Sequence, residues 1–225
     1  MGQNEWTLVY DLDGTLVDSA PDLHLALNHT LASIGLGPVK LDDIRNMIGD
    51  GAKALIRKGL TQHQRRMDDA QIDTQLWPLF IDYYSQNADR LSQTFAGVDA
   101  CLRHFQAGGY TQVICTNKAQ SLAEIVIRGL NIEPYFAALS GGDTYTYRKP
   151  DGRHLLTLLE HAGRTAKKAI MIGDSETDEM AARNAGLPFV FVSFGYGKLS
   201  KEGISDTIIV DHWSDMPRAI ARITS

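Results

Sequence analysis

Asp11 and Asp13 stand two residues apart at the end of the apolar run 6–10, immediately before Gly14. Side chains alternate faces along a strand, so two such carboxylates share a direction only at or just past its C-terminal edge. In an open parallel sheet that edge is where ligands bind. The same placement recurs downstream. Thr116 and Asn117 follow the β-rich run 112–115, Lys149 lies in the loop after the run 137–140, and Asp174 and Asp178 follow the run 169–172. Two or three carboxylates with a backbone carbonyl make an all-oxygen site, which suits Mg²⁺ better than a thiolate-seeking metal. Asp11, Asp13, Asp174 and Asp178 brought together would repel one another, and a divalent cation with Lys149 would offset that repulsion.

These groups suit phosphoryl transfer. A carboxylate can attack phosphorus to give an acyl phosphate, dividing a hard hydrolysis into two easier steps. The phosphoryl oxygens need donors and positive charge, which Mg²⁺, the Thr116 hydroxyl, the Asn117 backbone N–H and Lys149 can supply. A second carboxylate must protonate the leaving oxygen and then deprotonate water. Further along, Gly49-Asp50-Gly51 opens a helix whose backbone N–H groups could meet a substrate carboxylate, with Lys53 or Arg57 completing the charge match. The seven histidines show no metal spacing.

The elements that must carry these residues are legible from periodicity. Runs 6–10, 112–115, 137–140, 169–172, 189–192 and 207–210 are strands, and amphipathic helices separate them. Strands alternating with helices predict an α/β fold with a parallel sheet covered on both faces, a Rossmann-like three-layer core. One block breaks the alternation. From Ser19 to Leu91 only helical patterns occur, with Pro78 kinking one helix or opening its second part, which is how an insertion after the first strand looks. The expected division is therefore a core of residues 1–18 and 92–225 and a helical cap domain of residues 19–91.

Composition excludes several other classes. A chain of 225 residues, 44% hydrophobic and 22% charged with net charge -5, has the balance of a soluble globular protein. It lacks the basic cluster that nucleic-acid binding needs, so no nucleic acid is expected as partner. No apolar run approaches the roughly 20 residues that span a bilayer, and the first residues carry no basic, apolar leader, so neither membrane nor secretion is expected. Cys101 and Cys115 read as buried small hydrophobes in a reducing, cytoplasmic setting. The expected partner is a small phosphorylated metabolite, and the chain a monomer or homodimer.

The series Asp11-Leu12-Asp13-Gly14-Thr15, Thr116-Asn117-Lys118, Lys149-Pro150 and Gly173-Asp174-Ser175 with Asp178 resembles the haloacid dehalogenase superfamily of aspartyl phosphatases. Within it, Thr15 to Leu23, Ile48 to Lys53 and Tyr135 to Thr144 are similar to the phosphoglycolate phosphatase family. The resemblance implies Asp11 as nucleophile and Mg²⁺ ligand. It implies Asp13 as general acid/base that lends its backbone carbonyl to the metal, and Asp174 as third protein ligand. Asp178 would support the metal through water or hold Lys149, and Gly14, Thr15, Thr116, Asn117 and Lys149 would surround the phosphate. The implied activity is hydrolysis of 2-phosphoglycolate beneath a mobile cap. The alternatives are another small phosphate such as a sugar phosphate or pyrophosphate, or a phosphomutase related to β-phosphoglucomutase. From a different class come a receiver-like aspartyl-phosphate module, which has no use for Asp13 or a cap, and a glycosyltransferase, which leaves Lys149 and Asp174 unexplained. Three departures stand out: Tyr10 where phenylalanine is usual, Thr177 for a common asparagine, and Gly152 in place of a second proline, which is expected to loosen the Lys149 loop.

Overall fold

The computed structural model describes residues 5–199 and 207–225. Six strands form one parallel sheet: β1 (Thr7–Tyr10), β4 (Thr111–Cys115), β5 (Ala138–Ser140), β6 (Ala169–Gly173), β7 (Phe189–Val192) and β8 (Ile208–Val210). Two more, β2 (Val17–Asp18) and β3 (Gln93–Thr94), pair antiparallel as a separate ribbon. The sheet order is β5-β4-β1-β6-β7-β8. The chain fills the β4–β5 side first and then crosses to β6, so β1 lies at the point where the order reverses. Crevices open at the carboxyl ends of strands at such a point.

Alternation along β1 explains its central place. Leu8 and Tyr10 face one side, with Ile114, Ile170, Ile172 and the ring of Trp213; Val9 faces the other, with Val113, Met171, Leu155 and Leu158. A strand buried on both faces reads as a continuous apolar run, as residues 6–10 do. Tyr10 keeps its extra hydroxyl satisfied by donating to Gln112 Oε1 at 2.9 Å, so the departure from phenylalanine costs no unpaired polar group. On one face lie α6 (Val98–Ala107), α7 (Gln120–Gly129) and α10 (Met216–Thr224), and on the other α8 (Arg153–His161) and α9 (Glu176–Ala185). Cys101 and Cys115 are both buried free thiols.

Between β2 and β3 come only helices: α1 (Ala20–Ala32), α2 (Leu41–Arg45), α3 (Ala52–Gln62), the single turn α4 (Asp69–Gln71) and α5 (Trp77–Ser85). Helix α1 starts after Ser19 with Pro21 in its first turn, where a missing N–H costs nothing. A π-helical stretch, Ile72–Leu76, joins α4 to α5, and Pro78 sits in the first turn of α5. Pro78 thus opens the second part of this helix. Leu23, Leu27, Leu31, Leu55, Ile56, Ile72, Leu76, Phe80 and Tyr84 bury the inner faces of these helices against one another.

Two features differ from expectation. The β2–β3 ribbon stands where periodicity predicts no strand: two residues per strand are too few for any alternation to show. Gly152 does not loosen the Lys149 loop, because a Cβ there would lie 2.5 Å from the Asn184 carbonyl carbon. Glycine at this position lets the loop press against the end of α9.

Candidate active site

Strand β1 ends one residue before Asp11, whose N–H still donates to Ile172 O at 2.9 Å, continuing the ladder to β6. The chain then folds into a compact turn: Leu16 N and Val17 N both donate to Leu12 O, and Gly14 N to Val17 O. Gly14 has φ of 88°, and a Cβ on it would lie 2.5 Å from Asp174 Oδ2, so glycine is required on both counts. This turn presents Asp11 and Asp13 at the crevice mouth, Asp11 beside the ends of β6 and α9 and Asp13 towards the end of β4.

Three carboxylates converge here. Asp11, Asp174 and Asp178 each place one oxygen within 4.8 Å of the others, and all three residues are buried. Lys149, with 1% of its side chain exposed, sets Nζ 2.7 Å from Asp178 Oδ1 and 2.8 Å from Asp11 Oδ1. Lys149 is the one cation paired with Asp11 Oδ1 among the described residues. Asp174 is better supplied: Thr15 Oγ1 donates to its Oδ1 at 3.0 Å, and the N–H groups of Tyr196 and Gly197 donate to its Oδ2 at 2.8 and 3.0 Å. Asp178 accepts from the N–H and hydroxyl of Ser175, which fixes it in the first turn of α9.

The electrostatics follow from burial and crowding. Burial, with Asp178 and Asp174 alongside, pushes the Asp11 carboxyl up to about 7 even though Lys149 pulls it down. Burial and then Asp178 push Asp174 up to about 6. Three carboxylates against one ammonium leave two negative charges when all are ionised. A buried all-oxygen trio with negative charge in excess fits a hard divalent cation.

Asp13 is directed elsewhere. Its carboxylate accepts from Ser19 Oγ at 2.5 Å and from Lys118 Nζ at 3.1 and 3.2 Å. Lys118 also donates to Tyr84 OH, on α5, at 2.8 Å. Thr116, whose N–H donates to Ser140 O, and Asn117 line the crevice beside Asp11 and Asp13. Asn117 Nδ2 donates to Lys149 O at 3.1 Å and to Gly49 O at 3.3 Å, tying the β4 end to both the Lys149 loop and the helical segment. The cavity so enclosed is narrow, about 30 Å³. Its far wall is apolar, made by Leu23, Ile48, Ala52, Leu55 and Leu122.

Of the residues singled out in the Gly49 loop, Gly49 and Gly51 line this cavity and the charged ones do not. Asp50 pairs with Lys58 at 2.8 Å, Lys53 with Asp73 at 2.6 Å and Arg57 with Asp69 at 2.7 Å, all on the outside. Lys53 lines an outer groove with Trp77, Asp143 and Arg148 instead. Tyr145 and Tyr147 bond to His161 and Thr157 of α8.

Sequence reasoning assigned no role to four residues at the site. Lys118 and Tyr84 are two, and Tyr196 is a third: its hydroxyl donates to Asp18 at 2.6 Å and accepts from Ala20 N, pinning the start of α1. Asp22 is the fourth, accepting from Leu91 N, Ser92 N and Ser92 Oγ where the helical segment returns to the sheet. An acid in the first turn of α1 and Lys118 adjoining Thr116-Asn117 were the available signals, and neither discloses its partner.

His154, fully buried at the start of α8, bonds through Nε2 to Ser140 Oγ at 2.7 Å. Burial, with the Lys149 charge adding to it, holds its pKa down to about 4 from 6.5. A base whose folded pKa is depressed contributes its stability fully above about pH 6.5 and loses it as pH falls towards 4, at roughly 1.4 kcal/mol for each pH unit between those values. Tm of the wild type is expected to fall across that window more steeply than that of His154→Gln. Parallel profiles would contradict this.

The chain matches the family model described as haloacid dehalogenase-like hydrolase over residues 8–192, and it belongs to that family of hydrolytic enzymes. Among curated relatives, the phosphoglycolate phosphatase of Caulobacter vibrioides is 40% identical over 223 residues, covering 99% of this chain and 94% of the relative. That of Agrobacterium fabrum is 38% identical over 212 residues, 94% and 91% of the two chains. The crystal structure of a predicted phosphoglycolate phosphatase from Haemophilus somnus aligns with a TM-score of 0.87 at 26% identity, covering 97% of this chain and 100% of that one.

Proposed function

We propose that this protein is a Mg²⁺-dependent phosphomonoesterase that converts 2-phosphoglycolate to glycolate and phosphate in the cytoplasm. The observation that carries this reading is the convergence of Asp11, Asp13, Thr116, Lys149, Asp174 and Asp178 on one crevice, and the names of its relatives support the choice of substrate. Asp11 attacks phosphorus through a carboxylate oxygen as the bond to the glycolate oxygen breaks, leaving an acyl phosphate on Asp11. Asp13 gives a proton to the departing oxygen, then takes one from the water that attacks the acyl phosphate and returns Asp11 to its starting state. Ser19 and Lys118 fix the direction of the Asp13 carboxylate during both transfers.

Thr116, the Asn117 N–H and Lys149 hold the phosphoryl oxygens where charge develops. Asp11, Asp174 and the Asp13 backbone carbonyl would hold Mg²⁺, with Asp178 supporting it and anchoring Lys149. When bound there, the ion supplies neutralisation of phosphoryl charge and lets anionic substrate approach Asp11. Gly14 and Thr15 serve the turn and Asp174. Residues 19–91 act as a cap domain over the core of residues 1–18 and 92–225, its apolar wall excluding water while the leaving group departs.

Phosphate release measured over a panel of 2-phosphoglycolate, a hexose phosphate, pyrophosphate and an aryl phosphate tests the assignment. The kcat/KM for 2-phosphoglycolate is expected to lead and to be lost on chelation of the metal. A leading hexose phosphate, or turnover indifferent to chelator, would overturn it. Lys53→Ala and Arg57→Ala are expected to change KM for 2-phosphoglycolate by less than about twofold, because each lysine or arginine is engaged with an exposed acid of its own segment. A tenfold rise in either variant would return them to the site.

A further inference from the structure

We infer that Lys118 is the specificity residue that reads the substrate's carboxylate, presented for that task by Tyr84. The inference rests on the phosphoglycolate reading above and deepens it. Among the described residues that line the cavity, Lys118 is the only cation; the others are Asp11, Asp13, small polar residues and the apolar wall. A substrate with a carboxylate on its leaving group meets no other positive charge in the cavity lining: Lys53, Arg57 and Lys58 pair with acids outside, and Arg148 lies across Gly51 in the outer groove. Lys149 stands at Asp11 and Asp178, on the phosphoryl side.

The surroundings of Lys118 favour this use. It immediately follows Thr116-Asn117, and its ammonium reaches Asp13, the residue next to which the leaving oxygen must sit. Only 4% of its side chain is exposed, and a carboxylate that reaches it there is read with little screening by water. An ammonium has three N–H donors. Tyr84 OH takes one at 2.8 Å and the two Asp13 oxygens take the others at 3.1 and 3.2 Å, longer than the usual 2.7 to 2.9 Å of a charge-assisted bond and so the weaker of the three. A substrate carboxylate therefore takes its hydrogen bond by exchange with one of the two longer Asp13 contacts. Burial works against the charge, but Asp13 and Tyr84 outweigh it and hold the ammonium protonated well above its ordinary range.

Tyr84 couples Lys118 to the helical segment. It is a fully buried residue of α5, and its hydroxyl is the contact by which the helical segment grips the lysine. Seating of that segment and aiming of Lys118 are thereby one event. A phosphate ester of the same size without a carboxylate, such as ethyl phosphate, leaves this ammonium with nothing to bind beyond Asp13 and Tyr84.

The test compares kcat/KM for 2-phosphoglycolate and ethyl phosphate in the Mg²⁺-loaded wild type, Lys118→Met and Tyr84→Phe. The wild type is expected to prefer the carboxylated ester. Lys118→Met is expected to cut that preference by roughly 10- to 100-fold, the worth of a hydrogen bond to a charged group. If both substrates lose the same factor, Lys118 only aims Asp13 and the inference fails. Tyr84→Phe retains the ammonium, so it serves where Lys118→Met does not fold: its KM for 2-phosphoglycolate is expected to rise several-fold more than its KM for ethyl phosphate, and equal changes would overturn the inference. A wild type that hydrolyses phosphate esters with no preference for the carboxylated one overturns the substrate assignment itself. An intact wild-type preference that survives in Lys118→Met overturns the role of Lys118 alone.

Discussion

Asp11→Asn is expected to lower kcat for phosphate release by at least about ten-thousandfold while leaving the fold intact, or even firmer in the absence of metal. The two effects have separate causes. An amide cannot form the acyl phosphate, and removal of a nucleophile costs several powers of ten because the remaining groups have nothing to act through. The same substitution removes one of three carboxylates crowded around Lys149, and burial already makes the Asp11 charge costly. Tm measured with chelator is therefore expected to hold or rise, and kcat to collapse. A variant that keeps measurable turnover would show that Asp11 is not the nucleophile. A variant that unfolds would show that its charge holds the site together rather than straining it.

Lys149→Met is expected to have the opposite signature, losing both activity and stability. Lys149 is the ammonium between Asp11 and Asp178, and with 1% of its side chain exposed no water takes its place. Breaking a buried ion pair by removing one partner leaves an uncompensated charge, and costs about 3 to 5 kcal/mol. Here two carboxylates lose their partner at once. Addition of Mg²⁺ is expected to restore part of the lost Tm, since a divalent cation supplies charge to the same acids, without restoring activity. Thermal melts with and without Mg²⁺ check this. A variant as stable as the wild type in chelator would mean that the acids are already protonated, and would remove the electrostatic basis for a metal at this site.

The contrast between these two residues also shows what could be read from sequence. Asp11, Thr116 and Asp174 were legible because each interrupts an apolar run at its C-terminal end, and a parallel sheet brings such ends together whatever the loops do. Lys149 was legible only by its place in that series. Lys118 stands beside Thr116 and Asn117 in the sequence, but its partners Asp13 and Tyr84 lie 105 and 34 residues away, and nothing local announces them. Lys53 and Arg57 show the mirror-image case. A basic helix start reads as available for a ligand, and only packing of the helical segment reveals that Asp73 and Asp69 stand beside these two charges. The β2–β3 ribbon was invisible because pairing of Val17–Asp18 with Gln93–Thr94 needs the whole helical segment to fold back first. Gly152 shows a further kind of error: a glycine read as looseness was a close approach of two backbones.

A covalent bond from phosphorus to Asp11 is the step on which the proposed reaction turns. Acid-quenching the Mg²⁺-loaded enzyme during turnover of 2-phosphoglycolate and mapping its peptides by mass spectrometry detects it, with Asp13→Asn used to slow breakdown of the intermediate. A phosphoryl group is expected on the peptide carrying Asp11, on Asp11 itself, and none in Asp11→Asn. Rapid phosphate release with no phosphorylated peptide at any quench time, in wild type and Asp13→Asn alike, would contradict it and point to direct attack by water.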